Sequence, residues 1–178
     1  MAMITDFDIK SLVCDNSSFG PNEIKMISGA ITEDFSQYAI LRDAVAELEI
    51  GEDLTPASTV RLGVCYYLLG RFNRAIETLA ESDKGALSYF YIGRSHFALE
   101  DNAAAIENYD LAERFGYDRG ICVLAKVEAL RNSGDFDGAL QGLESLDGAI
   151  MQEADYAYQY GETVATSRGA SELVVEWF

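Results

Sequence analysis

At 178 residues, with 49% hydrophobic and 11% aromatic content, the chain is long enough to bury a core and has the make-up of one folded domain. Its formal net charge of -17 repels phosphate backbones and anionic lipid, so no nucleic acid and no membrane are expected as partners, and an acidic partner is disfavoured. The longest apolar runs, such as residues 64–69, are too short to cross a bilayer, and Asp6 and Asp8 stand where a signal peptide needs basic residues.

The three cysteines, Cys14, Cys65 and Cys122, are odd in number and widely spaced, which is neither a disulfide framework nor a zinc pattern. Cys65 and Cys122 fall in apolar helical stretches and read as small buried hydrophobes. A reducing, cytoplasmic location is therefore expected. The 2 prolines leave long stretches free to be helical.

In chain order, residues 16–21 read as a loop, and helices are predicted over residues 22–30 and 33–49, the second capped by Thr32. Phe35, Tyr38, Leu41, Val45 and Leu48 follow helical spacing and give that helix one buried stripe. Residues 1–54 are read as an N-terminal helical extension that caps the first helix pair.

Thr55-Pro56 opens the next region, with Thr as N-cap and Pro at the first helical position. Helix pairs are predicted at about 56–69 with 72–82, 86–99 with 102–115, and 119–132 with 136–146. Gly70 and Gly134 break the first and third pairs, and Gly116 stands where a left-handed cap is expected. No run alternates apolar and polar residues as a strand would.

These pairs share a pattern. Arg71-Phe72-Asn73-Arg74-Ala75-Ile76-Glu77-Thr78-Leu79 returns 30 residues later as Asp101 to Tyr109, and 34 residues after that as Asp135 to Leu143. A period of this size is the signature of stacked repeat units. A small residue recurs in the first helix (Gly63, Gly93), followed one turn later by Tyr66 and, in the same place, His96. An Ala recurs in each second helix (Ala75, Ala105, Ala139), with a large apolar residue one turn on (Leu79, Tyr109, Leu143). Small residues let two helices approach where they cross, and the large ones fill the space beside the crossing.

On these residues the stretch 56–146 resembles tetratricopeptide repeats. The departures are Glu100 and Asn102 at the turn glycine and aromatic positions of the second pair, and Val127 at the small position of the third. A fourth, incomplete pair over 153–178 is outlined by Gly161, 34 residues after Val127, and the same register sets Leu173 and Trp177 at the Ala and large-apolar positions. The resemblance implies an all-α fold: an α-solenoid of antiparallel helix pairs at about 56–85, 86–118, 119–152 and 153–178 behind the N-terminal cap.

It also implies a function. In such repeats the first helix of each pair lines a groove that binds a protein or peptide segment. Carried over, the groove residues are Val60, Val64 and Tyr67 from the first pair, Phe90, Arg94 and Phe97 from the second, and Leu124, Glu128 and Arg131 from the third, each set lying on one helix face. Phe90 and Phe97 are the expected anchors and Arg94 the expected polar group. Tyr158, Asp155 and Glu162 would extend the face. Glu77, Glu81, Glu107, Asp110, Glu113 and Glu144 are assigned to the outside, where acidity favours solubility. Two first helices are apolar nearly all round, so the groove is either open to a ligand or filled by the N-terminal segment or a second copy. The face lacks the lysines and asparagines with which some of these repeats hold the acidic C-terminus of chaperones.

No catalytic residue, metal site or cofactor is expected. The single histidine, His96, sits in the aromatic slot, and there is no phosphate loop, nucleophile elbow, zinc spacing or calcium loop. The expected function is a non-enzymatic scaffold or adaptor. The alternatives are a secretion-type chaperone built of such repeats and a regulatory domain of a larger protein. Leu173, Val174, Trp177 and Phe178 form an apolar cluster, from which self-association as a homodimer is a further expectation.

Overall fold

The computed structural model describes residues 8–14, 18–51 and 54–168. The fold class is all-α, and every regular element among the described residues is a helix: α1 (Ile9–Cys14), α2 (Pro21–Glu33), α3 (Ser36–Ile50), α4 (Pro56–Leu68), α5 (Phe72–Glu81), α6 (Ala86–Ala98), α7 (Asn102–Arg114), α8 (Arg119–Asn132), α9 (Phe136–Glu144), a 3-10 helix (Gly148–Gln152) and α10 (Ala154–Arg168). The chain divides into two compact units, Met1–Tyr91 and Ile92–Phe178, with the division inside α6.

Helix starts follow from capping chemistry. Thr55 accepts from Ser58 N–H at 3.2 Å, and Pro56 takes the first helical position. Asp101, Asp118 and Asp135 each accept the N–H three residues on, from Ala104 at 3.1 Å, Ile121 at 2.9 Å and Gly138 at 2.9 Å. The ends are equally regular. After α4, Gly70 N–H donates to Tyr67 and Arg71 N–H to Tyr66; after α6, Glu100 donates to Phe97 and Asp101 to His96; after α8, Gly134 donates to Arg131 and Asp135 to Leu130. These paired bonds need a left-handed residue, and φ is 72° at Gly70, 63° at Glu100 and 85° at Gly134. Glu100 therefore occupies the turn-glycine position without being glycine.

Within the N-terminal unit, α1 and α2 pack on α3, α3 packs on α4, and α4 pairs with α5. The core joins Ile9, Val13, Ile27, Leu41, Ala44 and Val45 to Leu62, Cys65, Tyr66 and Leu69 of α4 and its C-terminal end. Arg61 is buried and donates to Val13 O at 2.9 Å, tying α1 to α4. Tyr66 OH donates to Glu49, whose carboxylate also meets Arg74 at 3.4 Å and Arg71 at 3.9 Å. The extension thus seats on the Leu62–Tyr66–Leu69 side of α4.

The N-terminal boundaries differ from the expected ones. Thr32 lies inside α2, where its hydroxyl donates to Ser28 O at 2.9 Å, and α3 starts at Ser36 with Asp34 accepting from Ser36 N–H at 2.9 Å. Phe35, at the N-cap position, is 78% exposed and stacks on Tyr38 instead of entering the core. The Asp34 carboxylate accepts from both the N–H and the hydroxyl of Ser36, so the helix starts there and the pattern of apolar residues begins one residue before it. Helix α1 was not expected from the sequence.

Within the C-terminal unit, α7 packs on α8, α8 on α9, and α10 on both α8 and α9. Val123, Leu124, Val127, Ala139, Leu143 and Leu146 form its core. The helix crossings show why small residues recur. A Cβ on Gly63 would lie 2.5 Å from Leu79 Cγ, and one on Gly93 would lie 2.7 Å from the Tyr109 ring. In the third pair Leu143 keeps the large position, but the close approach is made differently. Val127 stands on the first helix, and the glycine is on the second, where a Cβ on Gly142 would lie 3.0 Å from Val127 Cγ2.

Candidate functional site

The candidate residues fall in both units. In the N-terminal unit, Val64 is fully buried and Phe90 is 7% exposed, while Val60 and Tyr67 are half-buried. Tyr67 meets Tyr91 edge-on, with centroids 5.1 Å apart, and Phe72 at 5.8 Å. The aromatic anchor expected at Phe90 is largely enclosed by the chain itself.

In the C-terminal unit, Leu124 is buried, and Arg94, Phe97, Glu128 and Arg131 are half-buried. The sequence register brings these polar groups together. Arg94 and Glu128 occupy the same position in successive pairs, one residue after Gly93 and Val127, and Arg94 Nη1 lies 3.5 Å from Glu128 Oε2. The Arg94 guanidinium also stands 5.9 Å from the Phe97 ring centroid. Arg131 Nη1 donates to Gln159 Oε1 at 2.7 Å and Thr163 Oγ1 at 3.4 Å, both on α10.

Gln159 and Thr163 were missed in the sequence. They are among the few buried polar side chains, at 6% and 0% exposed, and Thr163 Oγ1 donates to Gln159 O at 2.7 Å. Their signal was available: they flank Gly161 at two residues on either side. Tyr158 is 59% exposed on the same helix, and Asp155 and Glu162 are exposed beside it.

The residues assigned to the outside behave as two groups. Glu77, Glu81, Glu107 and Glu144 are exposed. Asp110 and Glu113 are half-buried and paired, Asp110 with Lys126 at 2.7 Å and Glu113 with Arg119 at 3.4 Å. Beside these pairs a groove of about 500 Å³ runs between α8 and α9, floored by Val123, Val127 and Leu130 and widened by Gly138 and Gly142.

Titratable groups point to packing. Burial pushes the Cys65 thiol up to about 12, and Cys122 to about 12 for the same main reason. Desolvation, followed by the hydrogen bond to Glu49, raises Tyr66 to about 12. His96 Nδ1 lies 3.3 Å from Asp101 Oδ2, the capping residue of α7. Among the described residues no group of three or more His, Cys, Asp or Glu side chains is placed to hold a metal ion. Among them, too, no helix is long and apolar enough to cross a membrane. Leu173, Val174, Trp177 and Phe178, the expected self-association cluster, lie outside the described residues.

The helix pairs, their left-handed turns and their small-residue crossings define the repeat. Residues 58–81 match a family model described as tetratricopeptide repeat. That stretch contains the Gly63–Leu79 crossing and the Gly70 turn, two of the features that carry the resemblance. No curated protein matches the chain. Tetratricopeptide repeats generally mediate protein interactions, so the chain is suggested to be a protein–protein interaction module.

Proposed function

We propose that the chain is a non-enzymatic adaptor that binds a protein or peptide segment on the first-helix face of its tetratricopeptide-like pairs. The observation that carries the reading is the row Arg94, Phe97, Glu128 and Arg131. These side chains are half-buried, so they combine partial desolvation with access. Groups of this kind contribute most at protein interfaces, where a packed surround excludes water. In the N-terminal unit, Val60 and Tyr67 are the accessible members of the same register, whereas Val64 and Phe90 serve the core.

A peptide-display selection against the intact chain tests this. Peptides enriched on the native protein should lose binding when Phe97→Ala and Arg94→Ala are introduced together. Replacing Glu107 and Glu144 with Ala on the opposite side should leave them bound. Selected peptides indifferent to Phe97 and Arg94 would contradict the assignment of the face.

A further inference from the structure

Arg131 differs from three other cations of the C-terminal unit. Arg94 is paired with Glu128, Lys126 with Asp110 and Arg119 with Glu113. Arg131 has no carboxylate partner among the described residues. Its Nη1 is held by two neutral acceptors, Gln159 Oε1 at 2.7 Å and Thr163 Oγ1 at 3.4 Å. Those acceptors are themselves 6% and 0% exposed.

Burying an amide and a hydroxyl is unfavourable unless they are hydrogen-bonded. Here the bonds go to a guanidinium, which they orient without neutralising. A carboxylate in their place would have fixed the side chain and cancelled its charge. Nε and Nη2 bond to no described residue, and the side chain is half-buried. They form the side-on fork that matches a carboxylate with two parallel hydrogen bonds.

We propose that Arg131 recognises a side-chain carboxylate of the partner segment, with Gln159 and Thr163 as positioning residues. This rests on the interaction reading proposed for the first-helix face. The net charge of -17 does not oppose it at contact distance. Long-range repulsion acts on encounter and is screened by salt, whereas a partly desolvated pair is screened far less. The association rate of an acid-bearing peptide should therefore rise as salt is increased from low to physiological concentration.

A positional-scanning peptide library applied to the full chain tests the proposal. The expected result is a selected Asp or Glu at one position. Arg131→Gln should erase that preference and weaken the selected peptide by on the order of tenfold. Arg131→Lys should restore it poorly, because an ammonium cannot supply the fork. Gln159→Leu with Thr163→Val should reduce the acid preference while selection at other positions persists. Binding with no acidic preference in the native chain, or a preference that survives Arg131→Gln, overturns the role of Arg131 alone. No peptide binding at all overturns the interaction reading, and this inference with it.

Discussion

At the residue scale, Glu100 tests the repeat register. It holds φ 63° where the neighbouring pairs use glycine. A side chain in that conformation costs roughly 1–2 kcal/mol. Glu100→Gly should therefore raise stability by about 1 kcal/mol, read as a higher urea midpoint with an unchanged slope. An unchanged midpoint would show that the turn is not left-handed in solution.

The buried thiols give a pH dependence. The Cys65 thiol is raised from its ordinary value of 9.0 to about 12, so the folded state holds this proton more tightly than the unfolded chain. Its contribution is complete below pH 9 and is lost as pH rises toward 12. Stability should fall across that window, and Cys65→Ala should flatten the fall in urea titrations at successive pH values. The burial of Cys65 was legible in the sequence because it sits in an apolar helical run. The bond from Tyr66 to Glu49 was not, because Glu49 lies in a different element and nothing local marks it as a partner.

At the element scale, the crossing of α8 and α9 shows both what periodicity reveals and what it hides. Gly63, Gly93, Ala75, Ala105 and Ala139 were readable because each repeats at a fixed offset. Gly142 was not, since its role depends on Val127 across the crossing. A larger residue at Val127 offset by a smaller one at Gly142, on another helix, leaves no single-position signal. Gly142→Leu should destabilise by about 1–3 kcal/mol through overpacking. Adding Val127→Ala should recover much of that loss, with a coupling of roughly 0.5–3 kcal/mol in a double-mutant cycle. Additive effects would mean that the two residues do not touch. Ala105→Leu, at a fully buried position of α7, should cost about 1–3 kcal/mol by the same mechanism. Helix α1 and the start of α3 escaped the sequence because short elements and competing caps carry little periodic signal.

At the scale of the whole molecule, the all-α class and the succession of pairs were readable because one pattern is written three times. The candidate face was readable only in part. Its register followed from the first helices, but burial of Val64, Phe90 and Leu124 depends on packing that register alone does not specify. The Arg131–Gln159–Thr163 set needed α10 to be placed against α8. Self-association is a separate question, answered by light scattering over a concentration series. If the apolar residues Leu173, Val174, Trp177 and Phe178 drive it, truncation after Gly169 should convert a dimer to a monomer, and a dimer that persists would locate the contact elsewhere.

The central claim is that a partner binds the first-helix face. The most direct measurement is the footprint of a display-selected peptide on the intact chain, read by amide chemical-shift changes. Binding at that face predicts the largest changes in α6 and α8 around Phe97, Glu128 and Arg131, extending to Gln159. A footprint confined to α7 and α9 around Glu107 and Glu144, or to the groove between α8 and α9 floored by Val123 and Leu130, would contradict it.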